Sequence, residues 1–205
     1  MEKLFTRPDT WNGGSVETLM YFGPATHEVA LAVAKSLWSL PRLLGPYSAR
    51  DLEPDAQPIV DHPHFDEDYC EQLVGVYTHH DGTQSPFVHT TIIDEDGLWV
   101  YAGPTVGGLP AEWGVGAYPF GDDRKLTWLE PLYDDLRLIV QHVAGSANIL
   151  AAVYGWHTLV DLDTLLGAVA GTIPEERWGP IEVWSEGKRC FYPATHLDAP
   201  MRIDA

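Results

Sequence analysis

Proline and glycine punctuate this chain so often that many turns and few long uninterrupted helices are expected. Sixteen Pro and nineteen Gly are spread over 205 residues. Each Pro removes a backbone donor, and each Gly frees the chain to turn. The pattern predicts short strands and helices joined by many turns. Against it stand eight Trp, nine Tyr and six Phe, which supply a core. At this length a fold buries roughly 70% of the surface its unfolded chain exposes. No repeat, low-complexity tract or composition break divides the chain, so residues 1–205 read as one domain.

Residues 17–22 read as a strand closed by Gly23-Pro24. A helix follows, with Thr26 as N-cap and Glu28 in its first turn. Val29, Val33, Leu37, Leu40 and Leu44 fall on one helical stripe, which Pro41 ends near Leu40. Residues 46–68, acidic and Pro-rich, read as a surface loop of the long kind that is often functional. A short helix is expected over Asp66–Val76, with Tyr69, Leu73 and Val76 on one side. Phe87–Ile93 and Leu98–Tyr101 flank Asp94-Glu95-Asp96-Gly97 and predict a hairpin. Residues 103–121 read as an irregular, Gly-rich connector.

Leu132, Tyr133, Leu136, Ile139, Val140 and Val143 form the strongest helical stripe, with Asp134, Asp135 and Arg137 on its wet side. Residues 149–156 are a buried strand or a helix. Leu159–Val169 reads as a helix. Ile181–Trp184 and Arg189–Tyr192 read as a second hairpin. Hairpins mixed with helices predict an α+β fold, a mainly antiparallel sheet packed against several helices.

Charge then selects the kind of partner. Thirty Asp and Glu against twelve Lys and Arg leave a formal charge of −18. Solubility asks for roughly 2–8 units in a small domain. Such a field repels nucleic acid, which needs Lys and Arg on its phosphates, and anionic membrane surfaces. It attracts basic proteins and speeds their capture. The first candidates for a partner-binding surface are the loop acids Asp66, Glu67, Asp68, Asp94, Glu95 and Asp96, with Trp113 as an aromatic anchor. Two cysteines, Cys70 and Cys190, predict reduced thiols rather than a disulfide scaffold, with core burial for Cys190 at least as expected as reactivity. Residues 1–8 lack an apolar signal-peptide core, and the longest apolar runs fall far short of the ~20 residues that span a bilayer. A cytoplasmic location is the expectation.

Chemistry is argued mostly by absence. There is no Gly-x-Ser-x-Gly elbow, and neither Gly103–Gly108 nor Gly114–Gly116 sits in the context of a phosphate loop. Asp61-His62-Pro63-His64 could hold a divalent ion in an extended segment, but no standard zinc spacing is completed elsewhere. A metal-dependent enzyme on His62 and His64 is therefore an alternative, and no cofactor is expected. His79, His80, Asp81 and His89 are expected to be solvated or paired with a carboxylate.

Tyr21-Phe22-Gly23-Pro24, followed by an Ala-rich helix with Leu37 and Leu40, resembles the opening of a bacterial immunity-protein family. That family guards against polymorphic toxins carrying a restriction-endonuclease-like nuclease domain. Gly155-Trp156-His157-Thr158-Leu159 resembles a Gly-Trp-x-Thr-aromatic segment of the family's second half. The resemblance implies a cofactor-free binding module that waits in the cytoplasm for a basic nuclease toxin delivered by a contact-dependent system such as type VI secretion. A nucleic-acid mimic from a phage or mobile element, blocking a host defence enzyme, shares these electrostatics and is the other alternative.

Overall fold

The computed structural model describes residues 3–61, 65, 66, 69, 70, 72–110, 113, 115, 126–156, 161–185 and 187–197. In chain order the elements are β1 (Val16–Tyr21), α1 (His27–Trp38), β2 (Leu43–Tyr47), β3 (Phe65–Asp66), β4 (Tyr69–Cys70) and β5 (Leu73–Thr78). There follow β6 (Gln84–Ile93), β7 (Leu98–Pro104), α2 (Glu130–Ala144), β8 (Ala151–Trp156), α3 (Leu162–Val169), β9 (Ile181–Ser185) and β10 (Lys188–Tyr192). Eight strands make one sheet in the order β10-β9-β8-β1-β7-β6-β5-β2, and every pairing is antiparallel. β3 and β4 form a separate small ribbon. The fold is α+β, as the mixture of hairpins and helices predicted.

The two faces of the sheet are covered differently. Val16 and Met20 of β1 alternate with Glu17, Leu19 and Tyr21, so β1 sends alternate side chains to opposite faces. On the first face Val16, Met20, Val100, Ala102 and Tyr154 pack against Val33 and Leu37 of α1 and Leu136, Ile139 and Val140 of α2. On the second face Leu19, Tyr21, Trp99 and Val153 pack against Leu165 and Ala168 of α3. Farther along that face Phe5 closes over Tyr47, Val74, Val76 and Val88. A gap remains between these two patches.

Several expected elements hold. Thr26 caps α1, its Oγ1 accepting from the Val29 amide. α1 ends at Trp38, before Pro41, and both hairpins are present and longer than the pattern implied. Residues 151–156 are a strand, inside the sheet between β9 and β1.

Other expectations are corrected. The helix over Asp66–Val76 does not exist: β3, β4 and β5 occupy this stretch. Leu73–Tyr77 is buried on both faces, and a strand covered on both sides shows a continuous apolar run rather than alternation. Leu44 leaves the α1 stripe, because Pro41 diverts the chain and β2 holds it exposed at the sheet edge. Val29 is also exposed. The 46–68 loop is shortened by β2, which runs through Tyr47, and by a 3₁₀ turn at Pro54–Ala56. The 103–121 connector opens with the end of β7 and a 3₁₀ turn at Val106–Gly108. The third helix starts at Leu162 behind the Asp161 cap, and residues 157–160 lie outside the described ones. Asp135 is buried rather than wet. Cys190 sits in β10 as expected, but exposed and free on the edge strand.

Candidate functional site

The β6–β7 turn carries the acidic tip. Asp94 builds it: its Oδ1 accepts from the amides of Asp96 and Gly97 and from Trp99 Nε1, each at 3.0 Å. Gly97 adopts φ 141°, which favours glycine. Tyr21 stacks on Trp99 at 4.1 Å and donates from its hydroxyl to the Asp96 carbonyl at 2.8 Å. Burial, then the charges of Asp96 and Asp94, push the Tyr21 phenol above its ordinary range. The tip is thus held rigid, and Asp94, Glu95 and Asp96 remain exposed. Asp94 is committed to the turn, which leaves Glu95 and Asp96 as its free carboxylates.

Of the other candidate residues, Trp113 does not join them. Asp66 lies in β3, while Glu67 and Asp68 lie outside the described residues, as do His62 and His64. Trp113 packs edge-on against His79 at 4.7 Å, beside the turn between β5 and β6. The acidic tip is at the far end of β6, a ten-residue strand, about 30 Å away at ~3.3 Å per residue. Trp113 and the tip therefore belong to different ends of the sheet. Among the described residues no group of His, Cys, Asp and Glu is placed to hold a metal ion.

His79 belongs to a buried relay: of the two expectations for it, pairing with a carboxylate holds and solvation does not. Its Nδ1 lies 2.8 Å from Asp135 Oδ2, and its Nε2 lies 2.8 Å from Ser85 Oγ. A carboxylate only accepts, so Nδ1–H donates to Asp135, and in the singly protonated ring Ser85 Oγ–H donates to Nε2. The order Asp–His–Ser is that of a nucleophilic triad, but the surroundings are not. Ser85 is fully buried in β6 opposite Tyr77. The next residue is Pro86, which has no amide N–H to stabilise an oxyanion. Arg42 also reaches Asp135, at 3.5 Å. The relay ties the β5–β6 hairpin to α2. Its signal was present in the helix pattern, since Asp135 stands three residues after Leu132 and four before Ile139, within the apolar stripe.

His89 is a second buried imidazole. Trp38 Nε1 can only donate, so Nδ1 of His89 accepts at 3.1 Å and the proton sits on Nε2, 2.8 Å from Thr91 Oγ1. Burial pushes this imidazole down to about 3.

The gap on the second face is a cleft of about 320 Å³. β1, β6 and β7 floor it with Glu17, Val88, Thr90, Ile92 and Tyr101, and Trp11 and Arg50 wall it. Glu53 holds that wall. Against the upward pull of burial, hydrogen bonds from the Thr6 hydroxyl and the amides of Thr6, Leu4 and Phe5 bring its carboxyl down to about 2. Trp11 is fixed by its Nε1–H on the Phe5 carbonyl at 2.9 Å and by the Phe5 ring at 5.3 Å. Glu17 accepts from Ser15 Oγ at 2.7 Å, and burial nevertheless pushes its carboxyl up to about 7. A carboxylate inside the apolar run of β1 was the available signal.

Protein-family models give no match to this chain, and neither curated proteins nor solved structures give one.

Proposed function

We propose that this chain is a cytoplasmic inhibitor that captures a basic partner protein, with a nuclease toxin as the partner class its resemblance to immunity proteins suggests. One observation carries the reading: the negative charge lies on the outside. The buried carboxylates among the described residues are Glu17, Asp135 and Glu182. Asp135 is held by His79 and Arg42, and Glu182 by Arg137 at 3.1 Å and a two-pronged contact from Arg189 at 2.5 and 2.6 Å. Where side chains are described, the other carboxylates are exposed, Glu53 alone being half-buried. A surface of this sign fits the positive groove with which a nuclease grips phosphate, and steering speeds association. The rigid tip favours capture too, since Glu95 and Asp96 need no backbone ordering on binding. Among the described residues no helix is long and apolar enough to cross a membrane.

The test is affinity capture with the tagged chain from its native host, followed by mass spectrometry of what is retained. The expected result is one basic protein bound in a complex that weakens as salt rises. Capture of no protein, or of one whose binding ignores salt, overturns the reading.

A further inference from the structure

Glu17 and Arg50 line the same cleft without pairing. Glu17 is buried and its hydrogen-bond partner is the neutral Ser15 hydroxyl. The Arg50 guanidinium lies 5.4 Å over the Trp11 ring, and among the described residues it makes no ion pair. A buried carboxylate without a cation is costly, and burial of a charge is normally compensated by a partner. Here a cation faces the same space, too far away to be that partner. Thr105, which also lines the cleft, has a buried hydroxyl with no hydrogen bond among the described residues. Between these groups lie the apolar surfaces of Val88, Ile92 and Trp11.

We propose that this cleft is a binding site for a small zwitterion, a free α-amino acid with an apolar side chain, its ammonium on Glu17 and its carboxylate on Arg50. Ligand sites run from roughly 300 Å³ upward, so the cleft is large enough. The alternatives each leave a group unmatched. A simple cation meets Arg50, and a simple anion meets Glu17 and the −18 field of the whole chain. A neutral zwitterion satisfies both charges at no cost from the overall field. Among the described residues the titratable and charged groups of the lining are Glu17, Tyr101 and Arg50. Burial, then the charges of Glu17, Asp94 and Asp161, push the Tyr101 phenol up, so of these three Glu17 is the group that ionises near neutrality. Binding should therefore strengthen as pH rises past 7 and the carboxylate forms. This site stands independently of protein capture.

The experiment is an NMR and calorimetric titration of the full chain with leucine, leucinamide and N-acetylleucine, which carry both charges, the cation alone and the anion alone. Leucine is expected to bind and to shift the Trp11 indole signal, with the other two at least about tenfold weaker. Glu17→Gln and the exposed Arg50→Gln are each expected to weaken leucine by about tenfold or more, and only the Glu17 variant should lose the pH dependence. Arg50→Gln keeps the test alive if the Glu17 variant fails to fold. No binding by leucine at about 10 mM, equal binding of all three probes, or unaltered binding by Arg50→Gln overturns the proposal.

Discussion

At the scale of single residues, the groups that matter are polar side chains folded into an apolar setting. Asp135 satisfies the Nδ1–H of His79, and removing it leaves that donor unmet in the core. Asp135→Ala is expected to cost about 2–4 kcal/mol, lowering the urea midpoint with an unchanged slope. Asp135→Asn, which keeps an acceptor for Nδ1–H, should cost less. The titrating groups set opposing limits on pH. His89 titrates near 3 when folded and near 6.5 when free, so between those values the unfolded chain binds more protons and stability falls on acidification. Glu53, near 2 rather than 4.5, acts in the same direction at lower pH. Glu17 is the reverse: near 7 rather than 4.5, it binds more protons when folded, so its contribution is complete below 4.5 and is lost as pH rises through 7. Glu17→Gln should therefore gain on the wild type from about pH 5 to about pH 8, by at most about 3 kcal/mol, measured by denaturation at each pH.

At the scale of elements, two glycines separate close approach from mere flexibility. A Cβ on Gly103 of β7 would come within 2.0 Å of the Val16 carbonyl in β1, and backbone in a central strand pair cannot step aside. Gly103→Ala should cost about 1–3 kcal/mol or more, seen as a lower melting temperature. A Cβ on Gly167 in α3 would meet only ordinary contacts, the nearest at 3.6 Å. Gly167→Ala should raise the melting temperature, since alanine favours a helix by roughly 0.5–1 kcal/mol. At the sheet edges, β10 carries Lys188 and Arg189, charges that blunt edge-to-edge pairing. Nothing in the pattern of residues 73–78 told a doubly buried strand from a helix, because distant parts of the chain cover its two faces, Phe5 and Tyr47 the one and Trp38 the other.

At the scale of the whole molecule, the charge is a surface property with a rigid projection. Glu95→Lys with Asp96→Lys changes the formal charge by four, from −18 to −14, and spares Asp94, whose Oδ1 builds the turn. If the tip meets the captured protein, this pair should slow association and flatten its salt dependence in stopped-flow mixing, with stability changed by less than about 0.5 kcal/mol. Unchanged association would place the interface elsewhere on the acidic surface.

Local chemistry determined what was legible in the chain alone. The Thr26 cap, the α2 stripe, the two hairpins and the α+β class rest on spacing, capping and turn residues, which act over a few neighbours. The outward negative charge was legible because carboxylates without partners stay in water. The relay and the cleft were decided only by the tertiary structure. Ser85, His79 and Asp135 meet across β5, β6 and α2, and Glu17 and Arg50 face one space from β1 and the loop after β2. Such pairings depend on strand order and on which face of the sheet each helix covers. A carboxylate inside an apolar run signals burial, but which groups it meets is decided only when the chain closes over it.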